Sequence, residues 1–313
     1  MDKSQKKKNI ALLAVLAVLI VASIWAFQYN PYQQKSTTFD KELFAVTNPR
    51  ESLTKISMQS AKVNNVLEKE GENWQVNDTF ALDPSMKEVL MALMERISVQ
   101  RVVTGEESER IKQQVLDSGI QVQLYGEQSL VNEFTAGGDI STISSYFVKD
   151  GEVYLMQLPG YQSYVAGIFE VKANDWRDRT VFSGTWQNVV SLTIAEEEEE
   201  EGDSIKFSYD EGLLKWNHPQ ADSVKVMDFV EQFNYFYVDQ YLTEENEVFN
   251  YRDSFSKKGI IKIKALDASK NLEMTFYTVP DFNAILVQFE NQWGAIPIAR
   301  ANKFFPEKES LMK

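Results

Sequence analysis

The chain contains no cysteine. Disulfides, thiol catalysis and thiolate metal sites are therefore excluded, as is anchoring through a lipid-bearing cysteine. Histidine is almost as scarce, with His218 the only one in 313 residues. A Ser-His-Asp arrangement would have to run through it, and no G-x-S-x-G elbow is present. His218 follows Trp216, precedes Pro219 and reads as a turn residue. Basic residues are outnumbered 32 to 46 by acidic ones, giving a net charge of −14. That sign argues against nucleic-acid binding, which needs basic patches to neutralise phosphates. It also disfavours adhesion to anionic lipid surfaces. Neither a P-loop nor a G-x-G-x-x-G fingerprint occurs. The sequence thus gives no ground to expect a metal or a cofactor.

What the chain does have begins at its N-terminus. Residues 1–9 form a basic tail, with Lys3, Lys6, Lys7 and Lys8 against one acid, Asp2. An uncharged run follows, Ile10 to Asn30, apolar as far as Phe27. As a helix, Ile10 to Phe27 would span about 27 Å, close to the hydrocarbon thickness of a bilayer. Trp25, Tyr29 and Tyr32 sit where interfacial rings belong. The lysines precede the run, so the expected topology is a single-pass anchor with a cytoplasmic N-terminus and an extracytoplasmic body. A cleaved signal peptide is the main alternative, although Val21-Ala22-Ser23 is a marginal cleavage site.

The remaining sequence carries an internal similarity. Asn73-Trp74-Gln75-Val76 leads to Asp83-Pro84 and a helix with Met86, Val89, Leu90, Leu93 and Ile97 on one face. Asp83 suits an N-cap and Pro84 the first helical position. Lys215-Trp216 leads to Asp222-Ser223 and a helix carrying Val226, Phe229, Val230 and Phe233. A shift of 140 places the first helix face on the second, and Gly119-Ile120-Gln121-Val122 on Gly259-Ile260-Ile261-Lys262. The expected fold is α+β: two tandem units, 31–182 and 183–306, each an antiparallel sheet with packed helices, and a short tail, 307–313. Gly137-Gly138-Asp139 reads as a hairpin turn. The run Glu196 to Glu201 repels itself and reads as a solvated loop rather than a calcium site.

With 46 acids some pair is always close, so a carboxylate-dependent hydrolase is an open alternative without a specific signal. Asn77-Asp78-Thr79 fits the glycosylation triplet, which matters only in a glycosylating secretory pathway. The densest polar-aromatic stretch contains Tyr161, Tyr164, Trp176, Arg177, Asp178 and Arg179. Two arginines interleaved with two aspartates can form bidentate ion pairs, and Trp176 can stack on a guanidinium. This stretch is either a corner that docks one unit on the other or an exposed recognition surface. Sugar stacking on Tyr161, Tyr164 and Trp176 is one form of the second.

Phe39 to Val46, Trp74-Gln75-Val76-Asn77, Ser118-Gly119-Ile120, Pro159-Gly160-Tyr161 and Asp175-Trp176-Arg177-Asp178-Arg179 together resemble a bacterial family. It is the family called domain of unknown function 4340, in its Bacteroidetes form, and the resemblance covers most of residues 39 to 300. It implies a membrane helix, an extracytoplasmic repeat-containing body, and an accessory role beside ABC-type transporters or gliding-motility proteins. It supplies no catalytic residues. The six-glutamate run departs from the family pattern. The expected function is therefore a non-enzymatic scaffold with membrane lipid and transporter subunits as partners; a carbohydrate- or peptidoglycan-binding envelope module is the alternative.

Overall fold

The computed structural model describes residues 39–127, 129–184, 188–196, 204–210 and 213–313. Among these no helix is long and apolar enough to cross a membrane. The expected anchor, Ile10 to Phe27, and most of the glutamate run lie outside the described residues.

The fold is mixed α/β, mostly strand, in three antiparallel sheets. Nine strands build the first: β1 (Lys55–Gln59), β2 (Asn64–Glu70), β3 (Asn73–Val76), β4 (Phe80–Ala81), β5 (Ser98–Val103), β6 (Ile120–Tyr125), β7 (Leu130–Asp139), β8 (Ser144–Lys149) and β9 (Glu152–Gln157). Helix α1 (Pro84–Arg96) precedes β5, and helix α2 (Glu106–Ser118) precedes β6. Then come β10 (Thr180–Ser183), β11 (Val189–Glu196), β12 (Ile205–Asp210), β13 (Leu213–Trp216) and helix α3 (Ser223–Glu231). The chain continues through β14 (Tyr235–Tyr237), β15 (Gln240–Leu242), β16 (Ser256–Ala265), β17 (Leu272–Thr278), β18 (Ile285–Phe289) and β19 (Gln292–Ile296). Strand β10 pairs with β14 as a small separate sheet, so the boundary expected after Phe182 falls inside a strand.

The first large sheet has the order β4-β3-β2-β1-β6-β7-β8-β9-β5, and the second β13-β12-β11-β16-β17-β18-β19-β15. Strand for strand the orders correspond, with β4 lacking a counterpart. The correspondence does not follow the uniform 140-residue shift read from the helix faces and the glycines. Asp83 accepts from the amides of Ser85 and Met86, and Asp222 from those of Val224 and Lys225, so the two caps stand 139 apart. That offset lays buried Leu90, Met91 and Met94 on Phe229, Val230 and Phe233. It also lays core-facing Ile120, Val122 and Leu124 on buried Gly259, Ile261 and Ile263. A shift of 140 would set Val122 on exposed Lys262, because one residue of slip turns every strand side chain to the opposite face. Past the loop before β7 the offset becomes 140, and the two-residue hairpin turn Asp150–Gly151 falls on Glu290–Asn291.

Three local expectations are corrected by the same packing. On α1 the buried face is Leu90, Met91 and Met94, followed by Ile97 just after the helix, while Val89 is 53% exposed. Trp74 faces Lys69 across its ladder but Trp216 faces Phe207, so the tryptophans hold different places. Gly137 and Gly138 lie within β7 rather than in a turn. A Cβ on Gly138 would stand 2.0 Å from the Ser144 carbonyl oxygen, so only glycine allows β8 this close. The turn follows at 140–143, where Asp139 accepts from the Ser141 amide and hydroxyl.

Each large sheet buries one face in a main core. In the first, Phe44 meets Phe134, Phe147 and Tyr154 edge-on at 5.2–5.3 Å, a favoured aromatic geometry. In the second, α3 inserts Phe229 against Phe207, and Phe233, Phe236 and Phe304 continue the aromatic chain. The expected tail closes this core: Leu311 is buried, and Leu311 and Met312 pair with Asp222 and Ala221. Because Ile261 faces the core and Ile260 the other side of the sheet, Ile261→Ala costs about 2–5 kcal/mol and Ile260→Ala under about 1 kcal/mol. Urea unfolding of a fragment spanning residues 39–313 measures both.

Candidate functional site

The segment singled out in the sequence leaves β9, passes through a 3-10 turn (Val165–Glu170) and a short helix (Ala173–Trp176), and enters β10. Its end pairs with the chain running from β4 into α1. Asp83 donates to the Trp176 carbonyl at 2.8 Å, and Asp178 donates to that of Ala81 at 2.8 Å. Trp176 is thereby fully buried, and its indole N–H has no partner among the described residues. A ring with no exposed face cannot stack on a sugar, so the recognition surface that included Trp176 does not exist in that form.

Arg177 follows and is 7% exposed. Its guanidinium lies 3.5 Å from the centre of the Phe80 ring and 3.7 Å from that of Tyr241. Nη2 donates to Gln292 Oε1 at 2.6 Å and Nη1 to Asn174 Oδ1 at 3.4 Å. Phe80 belongs to the first large sheet; Tyr241 and Gln292 belong to the second. The arginine thus bolts one sheet to the other. Burial pulls its pKa down, opposed by Tyr241, yet an arginine remains charged at any ordinary pH. Among the described residues no carboxylate pairs with it. The expected Arg–Asp ion pairs are absent here because the carboxylate of Asp178 turns back to the Thr180 amide at 2.9 Å. Two π-faces and two side-chain amides stabilise the cation instead, a role suited to a planar, weakly hydrated guanidinium.

Tyr241 completes the joint by donating its hydroxyl to the Asp178 carbonyl at 3.0 Å. Burial raises its pKa above the ordinary 10.0; the charge of Arg177 opposes that rise. Arg179 holds Val238 by backbone and lines a polar cavity of about 760 Å³ with Asp175, Asn65, Lys62, Gln240 and Asn246. Of the six residues singled out, Trp176, Arg177, Asp178 and Arg179 therefore gather at the junction. Tyr161 and Tyr164 do not join them. Tyr161 is 66% exposed in a turn closed on Leu158, and Tyr164 donates to Glu170, its pKa raised first by burial. His218 lies flat on Trp216 with ring centres 4.5 Å apart. Among the described residues no group of three or more acidic or histidine side chains is placed to hold a metal.

Phe80, Tyr241 and Gln292 escaped the sequence reading, while Asn174 belongs to the polar-aromatic stretch itself. The available signal was indirect: an arginine beside a buried tryptophan needs planar partners, but nothing local names residues 64 and 115 positions away. No family model, curated protein or solved structure matches the chain.

Replacing Arg177 by alanine removes both stacking contacts and strands Gln292, for a loss of about 2–4 kcal/mol. Arg177→Lys recovers little of it because an ammonium cannot stack in the same slot. Differential scanning calorimetry compares the two, with Tyr161→Ala as a neutral control. Ionisation of Tyr241 gives a second readout. A raised folded-state pKa contributes stability that is complete below 10.0 and is lost as pH rises beyond it. Tyr241→Phe should show a smaller alkaline loss than the parent chain.

Proposed function

We propose that the chain is an accessory scaffold held in the cytoplasmic membrane by Ile10–Phe27, with a two-repeat body on the extracytoplasmic side. The observation that carries this reading is the Arg177 bolt. It spends the most recognition-like residues of the sequence on joining the two sheets, so the body presents surfaces in one fixed relation. Pre-organisation of that kind suits a component that sets the spacing of other proteins, since little ordering is left to be lost on assembly. The matching strand orders support descent of the two halves from one duplicated unit. The resemblance to domain of unknown function 4340 adds the class of partner, a transporter or motility complex.

Tagged full-length chain, recovered from its native membrane in mild detergent, should co-purify with ABC-transporter subunits identified by mass spectrometry. Arg177→Ala should reduce that recovery severalfold while the protein remains membrane-bound. Deletion of Ile10–Phe27 should release the body from the membrane. Reproducible recovery without any transporter or motility protein would contradict the scaffold reading.

A further inference from the structure

The two large sheets differ in what covers the face opposite their main cores. In the first, α2 crosses β7, β8 and β9, and its Ile111 and Val115 close over Val103, Val148 and Val153. The helix passes close over Gly137: a Cβ there would be in van der Waals contact with the Val115 methyls at 3.5 Å, which leaves no room for a large side chain. Following the strand pairing across to the second sheet, Tyr277 stands in place of Gly137, Gln288 of Val148 and Trp293 of Val153. A helix seated like α2 would meet the Tyr277 ring. In place of such a helix the second sheet carries the 3-10 segment Glu247–Ser254, which buries Val248, and the β17–β18 connection adds Val279 and Phe282 to the same cluster, with the rings half-buried.

The result is a cavity of about 490 Å³ with aromatic walls and a polar rim. Tyr277 and Phe255 flank Trp293 at 5.5 and 6.0 Å between ring centres, which fixes the indole in place. At the rim, Arg252 donates to both oxygens of Glu244 at 2.8 Å. Gln288 accepts weakly from the Tyr277 hydroxyl, at 3.4 Å. Its amide hydrogens, and the whole side chain of Asn291, have no hydrogen-bond partner among the described residues. Two valines of the first sheet are thus replaced by an indole, which packs against the half-buried rings beside it, and by an amide, Gln288, which adds a polar group to the cavity wall.

A ligand matched to this lining has flat apolar faces and a hydroxylated edge. A lipid chain would cover the two amides and the ion pair without hydrogen bonds, at a cost of desolvation. A phosphorylated ligand would meet a cation already neutralised by Glu244 on a chain of net charge −14. We propose that this cavity binds a saccharide, with a pyranose ring stacked on Trp293 and its hydroxyls hydrogen-bonded to Asn291, Gln288 and the Glu244–Arg252 pair. The proposal does not depend on the scaffold reading, and it places sugar recognition far along the chain from Tyr161 and Trp176.

The test is isothermal titration of the full-length chain, in a detergent without a sugar headgroup, with cellotetraose, maltotetraose and chitotetraose. At least one should bind, and Trp293→Ala and Asn291→Ala should each weaken binding at least about tenfold, as loss of one stacking or polar contact does. Tyr161→Ala should leave the affinity unchanged. Asn291 is exposed in a hairpin turn, so its replacement separates loss of a ligand contact from loss of folding. No heat with any of the three sugars, or an affinity unchanged in either cavity variant, overturns the proposal.

Discussion

A buried guanidinium between two aromatic rings is the constraint on which the arrangement of this body rests. Arg177 stands at the point where the chain passes from the first large sheet toward the second, and it contacts side chains from both. Burying a charge without a carboxylate is costly unless other groups replace water around it. Here the Phe80 and Tyr241 faces and two side-chain amides do so, and two of these four groups, Tyr241 and Gln292, are in place only while the second sheet stays beside the first. Trp176 beside it is held on the side of the first sheet, where residues 176 and 178 pair by backbone with residues 83 and 81. The segment is thus held on both sides: backbone hydrogen bonds tie it to the first sheet, and Tyr241 and Gln292 tie Arg177 and the Asp178 carbonyl to the second.

Around this joint the two large sheets share a strand order but not a covering. The first closes its second face with an amphipathic helix seated over Gly137. The second has Tyr277 in that position and Trp293 nearby, and the helix has shrunk to a 3-10 segment. A single change from no side chain to a large ring is enough to exclude a helix at van der Waals distance, since interiors have no slack to absorb it. Equivalent topology has therefore been put to two uses, one structural and one that leaves an aromatic cavity open to solvent.

Much of the fold could be read before any coordinates. Both capped helices, the alternating strands and the recurrence of helix and strand in one order were legible because capping and pleat alternation are local signals. The register was not. Glycines 119 and 259 invited an offset of 140, while the caps at Asp83 and Asp222 required 139, and only cross-strand pairing decides between them. The α1 face failed for a related reason. Val89 and Met91 are both apolar and flank Leu90, so the periodicity tolerated either, and tertiary packing buried Met91.

The candidate site divides along the same line. Composition alone removed thiol chemistry and most histidine chemistry, and the order of Trp176, Arg177, Asp178 and Arg179 marked that stretch as unusual. Whether those residues face outward or inward depends on partners 64 and 115 positions away, and no local pattern encodes that distance. The sequence by itself determined which elements form and where they begin, because those properties depend on neighbours in the chain. Only the tertiary structure decided that Arg177 is a joint and that Trp293 lines a cavity. A side chain's exposure is a property of what packs on it, and packing is settled by residues the chain brings back from far away.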